Sequence, residues 1–449
     1  MTPDPSIIIH RSHVALMKGS AIIPVFIAAL VPFLVIAIVI LSSLVGFVQW
    51  RPPVVWSDQF GASNANSGVT DVAADNGSLY AVGYLNRTSG LVNGVPVVRK
   101  YDFKGDVSWV KDILDEPQLL VSGTAIGSDG FYLVGSISQN STIFKYDFNG
   151  NYVWRQQAGF SGAGMGIFST PGGILLSGES DHYSLFLREY GPNGNIDWTS
   201  DFSNVSTSLD TITGVYADSA TVFVLTGGPL VGFDLTGIKL WSTPLGVPLF
   251  IEAYSISGDG TSAYVSGNAR STAFARPSGF LTKYDDKGSI IWNSVFDSPD
   301  QSGVGDSSVW RDSTGVFVSF ASLEGKEFVM KFDFDGHQEW GFNAPTILDR
   351  FPSLLTGHQS FIGTAVPGGF ILAGVSTQSA SGGTRGLLQE FSGTPSLIFF
   401  GINPPFSFVI LIGLIAGSAG GVFAFRKLRR KRMRPSRIGC PPQILPSTD

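Results

Sequence analysis

A motif of the form Lys-Tyr-Asp-x-x-Gly-x-x-x-Trp recurs along the chain and constrains the fold more than any other feature. The clearest copies begin at Lys100, Lys145 and Lys283, and each of them ends on a tryptophan. With the weaker copies included, the motif tryptophans are Trp109, Trp154, Trp198, Trp241, Trp292 and Trp340. A unit that returns every few tens of residues predicts an array of similar supersecondary pieces, each packed on the next.

Each repeat has the pattern of four antiparallel strands. The run 97–101 before the first Asp-x-x-Gly predicts a strand, and the Asp and Gly predict a tight turn, because Asp bonds its own backbone and Gly accepts positive φ. The residues around the tryptophan alternate in character and predict the next strand. An apolar run such as 79–83 lies upstream of the turn, and seven copies of this run occur along the chain. Four-stranded units of this length are typical of β-propeller blades, which protect sheet edges by radial repetition.

The last repeat lacks its outer strand, and the missing strand is found at the other end of the domain. Leu397 stands where a tryptophan is expected, with Pro395 just before it. Near the start, Trp56 and Phe60 form a Trp-x-x-x-Phe signature with no Tyr-Asp before it. We therefore predict an all-β, seven-bladed propeller of four-stranded blades, whose ring is closed by this N-terminal outer strand. The repeat tryptophans, Trp56 included, are predicted to pack blade against blade.

The blades resemble the prokaryotic β-propeller repeats called SBBP-type, over about residues 54–401. Residues 233–241 also look like a quinoprotein (PQQ-type) repeat. Both resemblances rest on residues that build blades, so they imply the fold. They do not imply an activity, because propellers carry many unrelated functions.

Two apolar stretches flank the repeats. Residues 21–48 are almost wholly apolar and long enough to span a bilayer, so we predict an uncleaved signal-anchor helix, with a cleaved signal peptide as the alternative. Residues 406–425 predict a second span, which the basic residues of 426–449 would stop. Positive residues mark the cytoplasmic side. We therefore expect 1–20 and 426–449 to be cytoplasmic and the propeller to be extracytoplasmic, at the cell membrane.

The charge differs between the predicted compartments. The chain has 29 Lys and Arg and 35 Asp and Glu. Two of the basic residues precede the first predicted span and eight follow the second. Residues between the spans carry 19 basic and 33 acidic side chains, a net charge of about −14. So acidic a domain argues against nucleic acid as a partner and permits cations or basic partners. The single cysteine, Cys440, lies in the basic tail, so we expect no disulfide in the propeller.

The predicted ring closure makes the chain enter and leave blade seven at the same end. The two spans are then expected to emerge side by side. The second span carries small residues at Gly413, Gly417 and Gly421, which allow close helix packing. Homodimerisation through the same glycines is the alternative.

The opposite end of the ring, made of first-strand entry loops and second-to-third strand loops, is the predicted binding face. Within its loops Asp297, Asp300 and Asp306 could hold a calcium ion, although solvated loop acids explain them as well. Trp310 lies outside the repeat position and is a candidate ligand contact in the central funnel. N-glycosylation sequons begin at Asn76, Asn86, Asn140 and Asn204.

Enzyme motifs are scarce in the sequence. The repeats contain no Gly-x-Ser-x-Gly elbow or phosphate-binding loop, and no catalytic or cofactor-binding residue stands out. We therefore predict a membrane-anchored binding, adhesion or scaffolding module with a protein or glycan ligand. The alternatives are an enzyme in the funnel, either quinone-dependent or glycan-active, and a sensor that signals through the paired spans.

Overall fold

The computed structural model describes residues 48–61, 66–75, 77–87, 94–114, 116, 119–138, 140–161, 166–179, 184–202, 212–245, 250–272, 275–344, 362–377, 384–393 and 396–399. All regular elements in these ranges are β-strands. No helix in this part of the chain is long and apolar enough to cross a bilayer. Apart from Val48, the predicted spans 21–48 and 406–425 lie outside the described residues.

The strands fall into seven blades, preceded by β1 (Val48–Arg51) and β2 (Val54–Phe60). Blade 1 contains β3 (Asn66–Ala74), β4 (Leu79–Arg87), β5 (Val95–Tyr101) and β6 (Val107–Asp112). Blade 2 contains β7 (Leu120–Ile126), β8 (Phe131–Ile137), β9 (Asn140–Tyr146) and β10 (Tyr152–Ser161). Blade 3 contains β11 (Gly166–Thr170), β12 (Gly173–Glu179), β13 (Leu185–Tyr190) and β14 (Ile196–Asp201).

The following blades repeat this order. Blade 4 contains β15 (Ile212–Ala217), β16 (Thr221–Thr226), β17 (Pro229–Asp234) and β18 (Lys239–Pro244). Blade 5 contains β19 (Phe250–Gly258), β20 (Ser262–Arg270), β21 (Ser278–Asp285) and β22 (Ile290–Phe296). Blade 6 contains β23 (Val304–Arg311), β24 (Val316–Ser322), β25 (Glu327–Phe332) and β26 (Gln338–Asn343). Each blade is an antiparallel meander in sequence order.

Blade 7 is built from both ends of the domain. Its first three strands are β27 (Ile362–Val366), β28 (Gly369–Thr377) and β29 (Thr384–Ser392), and its outer strand is β2. Strand β2 pairs antiparallel with β29, with Val54 opposite Phe391 and Phe60 opposite Gly386. The predicted seven-bladed ring, closed by an N-terminal outer strand, is therefore confirmed.

Strand β30 (Ser396–Phe399) does not add to blade 7 but pairs antiparallel with β1, with Val48 opposite Phe399 and Arg51 opposite Ser396. The chain divides into two compact units, Val54–Thr394 and a second unit that contains this two-stranded ribbon. Leu397 thus belongs to a strand outside the blades, which explains why it breaks the tryptophan pattern.

We call the two ends of the ring the entry end, where the first strand of each blade begins, and the turn end, where the Asp-x-x-Gly turns lie. In blade 5 the entry end is marked by Phe250 opposite Arg270, and the turn end by Gly258 opposite Ala263. In blade 7 both Val54 and Phe391 lie at the turn end. The chain therefore enters and leaves the ring at the turn end, as the sequence predicted.

The middle strands of each blade form the core. Every residue of β16 and β25 is buried, because neighbouring blades cover both faces of these strands. Outer strands alternate instead, with only the face toward the next blade covered. The residue four positions after each repeat tryptophan is buried in all seven blades: Phe60, Ile113, Ala158, Phe202, Leu245, Phe296 and Ala344.

Six of the seven repeat tryptophans pack on the turn glycine of the following blade. A Cβ added to Gly237 of blade 4 would lie 2.4 Å from Cε3 of Trp198 in blade 3. The same contact closes the ring, since a Cβ on Gly105 of blade 1 would lie 2.6 Å from Trp56 of blade 7. Six of the seven blade-to-blade steps show this contact; the glycines are Gly105, Gly150, Gly194, Gly237, Gly288 and Gly336.

The same glycines have φ between 77° and 88°, a region that side chains with a Cβ disfavour. Both the turn and the close approach of the indole ring therefore require glycine. The seventh step differs because β29 leads into the exit of the chain and not into a hairpin. There Trp340 packs on Phe370 with the ring centroids 6.4 Å apart.

The motif aspartates build these turns, as predicted. Oδ1 of Asp285 accepts hydrogen bonds from the amides of Lys287 and Ser289, and Asp102, Asp147, Asp234 and Asp333 do the same in their blades. Their carboxylates are therefore committed to turn geometry.

Most indole N–H groups also link neighbouring blades. Nε1 of Trp154 donates to the carbonyl of Pro192 at 2.8 Å, and Trp109, Trp241 and Trp292 bond the equivalent carbonyl of their next blade. Trp198 instead donates to Glu189 of its own blade at 2.7 Å, and Trp56 donates to Glu390. In these two blades a glutamate replaces the lysine that precedes the aromatic residue of the motif, so an acceptor is available closer by.

The Trp–Gly contact yields a testable prediction. The Gly237→Ala variant should lose about 2–4 kcal/mol of unfolding free energy, because the new methyl group clashes with Trp198 and the backbone keeps positive φ. Urea unfolding would measure the loss.

Gly260→Ala is the matched control, because Gly260 has φ of 88° and no atom within 4 Å of an added Cβ. It should lose only about 1 kcal/mol, the backbone part of the cost. Equal losses in the two variants would contradict a packing role for the Trp–Gly contact.

Candidate functional site

The first strands of five blades carry a β-bulge at a similar level. The register shifts lie between Val69 and Asp71, Val121 and Gly123, Ile212 and Gly214, Ala253 and Ser255, and Val304 and Ser307. The residues skipped at these shifts are Thr70, Ser122, Thr213, Tyr254 and, in blade 6, Gly305 and Asp306, so each bulge contains one polar side chain. Bulges redirect side chains and are frequent at functional sites. The first strands lie nearest the centre of a propeller. The bulges therefore place polar residues at a similar height around the centre of the ring.

Small residues beside the bulges allow the first strands to converge. A Cβ added to Gly214 of blade 4 would lie 2.8 Å from Cγ2 of Ile256 in blade 5. Across the next step, the amide of Val309 donates to Oγ of Ser255 at 3.1 Å, and Oγ of Ser307 donates to Oγ of Ser266 at 3.0 Å. These bonds join blades 5 and 6 directly and hold the bulge of blade 6 in place.

Blades 5 and 6 bring two carboxylates to one tyrosine hydroxyl. The hydroxyl of Tyr254 donates to Oε2 of Glu252 at 2.5 Å and is also within hydrogen-bond reach of Asp306. Asn268, which lies opposite Glu252 on β20, donates through Nδ2 to the Tyr254 oxygen at 3.0 Å and to Oε2 of Glu252 at 3.4 Å. We call these four residues the mouth cluster. It lies toward the entry end, the predicted binding face.

The mouth cluster is strongly negative. Desolvation raises the pKa of Tyr254, and the hydrogen bond to Glu252 and the charge of Asp306 raise it further, so the hydroxyl keeps its proton. Glu252 is exposed, whereas Asn268 is 2% exposed. No arginine or lysine of the described residues forms an ion pair with Glu252. Of the two carboxylates, that of Glu252 is therefore the one that faces solvent.

A second acidic group lies on the same level in blade 1. Asp71 accepts hydrogen bonds from the amide of Thr124 in blade 2 at 2.6 Å and from the amide of Val72 at 2.8 Å. Desolvation in the channel wall raises the pKa of Asp71 to about 7, although the two amides oppose the shift. Asp71 therefore both ties blade 1 to blade 2 and can change charge near neutral pH.

The three aspartates proposed for calcium lie in different surroundings. Asp297 accepts from Ser278 at 2.6 Å, whereas Asp300 accepts from Ser302 and from Ser322 at 2.7 Å. Desolvation acts to raise the pKa of Asp300, but the serine hydrogen bonds outweigh it and hold the pKa below its usual range. Asp306 belongs to the mouth cluster. No group of three metal-ligating side chains occurs in the described ranges.

Trp310, the predicted ligand contact, lies in the core between blades 6 and 7. It is 4% exposed, stacks on Phe317 with centroids 5.7 Å apart, and approaches Gly363 so closely that an added Cβ would lie 2.3 Å away. Its Nε1 is buried without a hydrogen-bond partner. Contact with a ligand at Trp310 stays a prediction.

The repeat tryptophans pack between blades, in agreement with the structural reading of the motif. Of the four sequon asparagines, Asn140 is exposed at the start of β9. Asn76 and Asn204 lie outside the described residues, and Asn86 lies near the end of β4. Glycosylation stays a prediction at all four.

Sequence reasoning singled out Asp306 but missed Glu252, Tyr254 and Asn268. One signal was available in the repeats. At the bulge of the first strand, blades 1, 2 and 4 carry Thr70, Ser122 and Thr213, whereas blade 5 carries a tyrosine. This departure from the repeat in an innermost strand was the signal in the sequence that distinguished blade 5 from the other blades.

Comparisons with known proteins support the fold. No protein-family model matches the chain, and no curated protein matches it either. Among solved structures, Raptor of Chaetomium thermophilum is similar with a TM-score of 0.51 and 12% identity, over 79% of this chain and 30% of that one. The chain thus spans less than a third of Raptor's length.

Two smaller propellers are also similar. The Cps50 (Swd1) β-propeller domain of Myceliophteria thermophila matches at 11% identity over 75% of this chain and 99% of that one, with a TM-score of 0.49. The β-propeller domain of the Trilobed protease of Pyrococcus furiosus matches at 10% identity over 75% and 95%, with a TM-score of 0.44. The chain is a seven-bladed β-propeller, a fold that commonly serves as a binding or scaffolding module. Its SBBP or PQQ-like repeat type is not confirmed.

The pKa of Asp71 predicts a dependence of stability on pH. Because the folded-state pKa is raised from 3.8 to about 7, the stability that Asp71 provides is greatest below about pH 4 and declines as pH rises to about 7. Asp71→Asn lacks this titration. We expect the variant to gain unfolding free energy relative to the unaltered protein between pH 4 and pH 7.5, measured by urea unfolding.

Asp286→Asn, which removes an exposed carboxylate at the turn end of blade 5, controls for the loss of one charge. The account of Asp71 is contradicted if the difference between Asp71→Asn and the unaltered protein stays constant over this pH range.

Proposed function

We propose that the chain is a membrane-anchored, extracytoplasmic propeller that binds a partner through the entry end of its ring and acts as an adhesion or scaffolding module at the cell surface. The observation that carries the proposal is the pairing of β1 with β30. These strands directly follow the predicted first span and precede the predicted second span.

The ribbon gives the anchoring part of the proposal a physical basis. Antiparallel pairing places Val48 opposite Phe399, so the ends of β1 and β30 that face the predicted spans lie together. Two spans that continue from such adjacent ends would begin a short distance apart. Small residues at Gly413, Gly417 and Gly421 then suit close packing of the two helices.

The binding part of the proposal rests on the division of the ring into two ends. The chain enters and leaves blade 7 at the turn end, which would place that end toward the membrane. The entry end, with the mouth cluster, would face away from it. A rigid ring that presents loops and a polar channel mouth is suited to recognition. The acidic charge between the spans favours a basic partner over nucleic acid.

Cysteine labelling in intact cells tests the orientation, since Cys440 is the only natural cysteine. A Lys287→Cys, Cys440→Ser double variant places one thiol in an exposed propeller turn. We expect a membrane-impermeant maleimide to label this thiol in intact cells. In the unaltered protein it should label Cys440 only after permeabilisation, and both proteins should stay in the membrane through an alkaline carbonate wash.

Three outcomes would contradict the proposal. They are release of the protein by carbonate, protection of the thiol at position 287 in intact cells, and labelling of Cys440 from outside. A Lys326→Cys, Cys440→Ser variant, with its thiol in a blade 6 turn toward the entry end, is the matched control. It should be labelled from outside as well, since the whole ring lies on one side of the membrane.

A further inference from the structure

Exposed apolar side chains of the outer strands are concentrated at the turn end. Among the described side chains of the seven outer strands, ten large apolar ones are exposed. Eight of them lie in the first two residues of their strand, which begins at the turn end: Val55, Val107, Tyr152, Val153, Ile196, Leu240, Ile290 and Ile291. The other two, Val110 and Val295, lie further along their strands. Within these strands, apolar exposure is therefore a property of one end of the ring.

A bulge in each outer strand turns one side chain out of the regular pairing. In all seven blades the pairing skips the residue that precedes the repeat tryptophan. In four blades the skipped residue is large and apolar and between 48% and 57% exposed: Val55, Val153, Leu240 and Ile291. In the other three it is polar: Ser108, Asp197 and Glu339. The bulge accepts polar side chains as well, so the fold does not require the apolar ones.

Blade 4 extends the apolar surface into its turn. The residue after the turn glycine is Ile238, which is 63% exposed. In the other five turns of this type the residue is polar: Asp106, Asn151, Asn195, Ser289 and His337. Leu235 of the same blade 4 turn is 45% exposed, whereas the equivalent Phe148 and Phe334 pack on the core. We call Leu235, Ile238 and the eight outer-strand residues the apolar rim.

The distribution of the apolar rim fits a flat partner. Its residues come from six blades, and blade 6 alone contributes none. Extended exposed apolar surface marks contact with a protein or with a membrane. A protein segment would need a groove in one or two blades, whereas equivalent positions around one end of a ring meet a plane together. A bilayer surface is such a plane.

The path of the chain places a bilayer at this end. The predicted first span ends at residue 48, and β2 begins at the turn end with Val54. Six extended residues reach at most about 20 Å, so blade 7 would be tethered close to the membrane. Blade 4 lies across the ring from blade 7, three steps away in one direction and four in the other. A tether at blade 7 and an apolar contact at blade 4 would together fix the tilt of the ring.

The side chains around the rim also suit a lipid interface. Tyr152 is 54% exposed, and amphipathic rings of this kind are enriched where membranes meet water. Three exposed lysines lie in or beside the turns: Lys104, Lys239 and Lys287. Long lysine side chains keep their stems on apolar surface and their charge in the headgroup layer. Exposed carboxylates at Asp106 and Asp286 would repel anionic lipids, so the contact is expected with zwitterionic lipids.

A second copy of the chain fits the same surface less well. Two rings stacked turn end to turn end would enclose the points where both chains enter and leave blade 7. The two predicted spans of each chain would then have to leave from between the rings. A bilayer meets no such obstacle, because it is where the spans lead.

We propose that the apolar rim rests on the phospholipid bilayer and places its side chains at the boundary between the headgroups and the acyl chains. The inference rests on the proposed anchoring and adds a second membrane contact, which orients the ring. The entry end then faces away from the membrane and stays accessible to a partner.

Spin labelling of the full chain in phosphatidylcholine nanodiscs tests the inference. An Ile291→Cys, Cys440→Ser variant carries one nitroxide at the rim, and Ile238→Cys, Cys440→Ser carries one in the blade 4 turn. Power saturation compares collisions of the nitroxide with oxygen, which concentrates in lipid, and with a water-soluble nickel chelate. We expect the oxygen-to-nickel ratio at both positions to exceed that of the control about threefold or more, as for side chains at the headgroup boundary.

Val295→Cys, Cys440→Ser is the matched control, because Val295 is 62% exposed and lies four residues after Ile291 on the same outer strand. Its nitroxide should collide with the two reagents as a label in water does. Equal ratios at positions 291 and 295 would overturn the inference. Spin–spin broadening at position 291 that appears only when two copies share a nanodisc would also overturn it, because it would assign the rim to a second copy.

Failure of this inference can be told apart from failure of the proposed anchoring. A chain that enters nanodiscs but has a water-like nitroxide at positions 238 and 291 is anchored without contact at the rim, which contradicts the inference alone. A chain that does not enter nanodiscs contradicts the anchoring and the inference together. Unchanged thermal unfolding of the labelled variants would show that they keep the fold.

Discussion

The contact between a tryptophan and the turn glycine of the next blade is the interaction on which the ring depends. A blade alone exposes both faces of its middle strands, so it is stable only when neighbours cover them. The indole ring supplies a large apolar surface at the rim, and the missing side chain of glycine lets the next turn come close. Repetition of one contact around the ring explains why tryptophan, aspartate and glycine recur at fixed spacing. Aspartate shapes the turn that presents the glycine.

Closure follows from the same constraint. Trp56 makes the contact between blades 7 and 1 although it comes from the start of the domain, so the outer strand of blade 7 joins the two ends of the propeller domain. The centre of the ring is built differently from the rim. There small residues let the first strands converge, and bulges turn polar residues out of the regular pairing. A stable rim with a variable centre lets one blade differ from the others without loss of the fold, which is how blade 5 can carry Tyr254.

Much of this fold could be predicted from the sequence, because each blade needs the same residues at its turn and in its outer strand. The turn aspartates, the rim tryptophans and the closing strand with Trp56 were all predicted. The pairing of β1 with β30 could not be, because two four-residue strands carry too little periodicity to be recognised. The mouth cluster escaped prediction for another reason: Glu252 and Asp306 lie in different blades, and only the bulges bring them to one hydroxyl. For Trp310, position outside the repeat suggested exposure, whereas the step from blade 6 to blade 7 buries it.

Native-state hydrogen exchange of the β2 amides tests the central claim, a ring closed by an N-terminal strand, most directly. If β2 completes blade 7, its amides that bond β29 exchange only through large-scale opening, with protection close to that of the outer strand β22 in an unbroken blade. Exchange of the β2 amides at the rate of an unstructured chain, while β22 stays protected, would contradict closure and leave a blade of three strands.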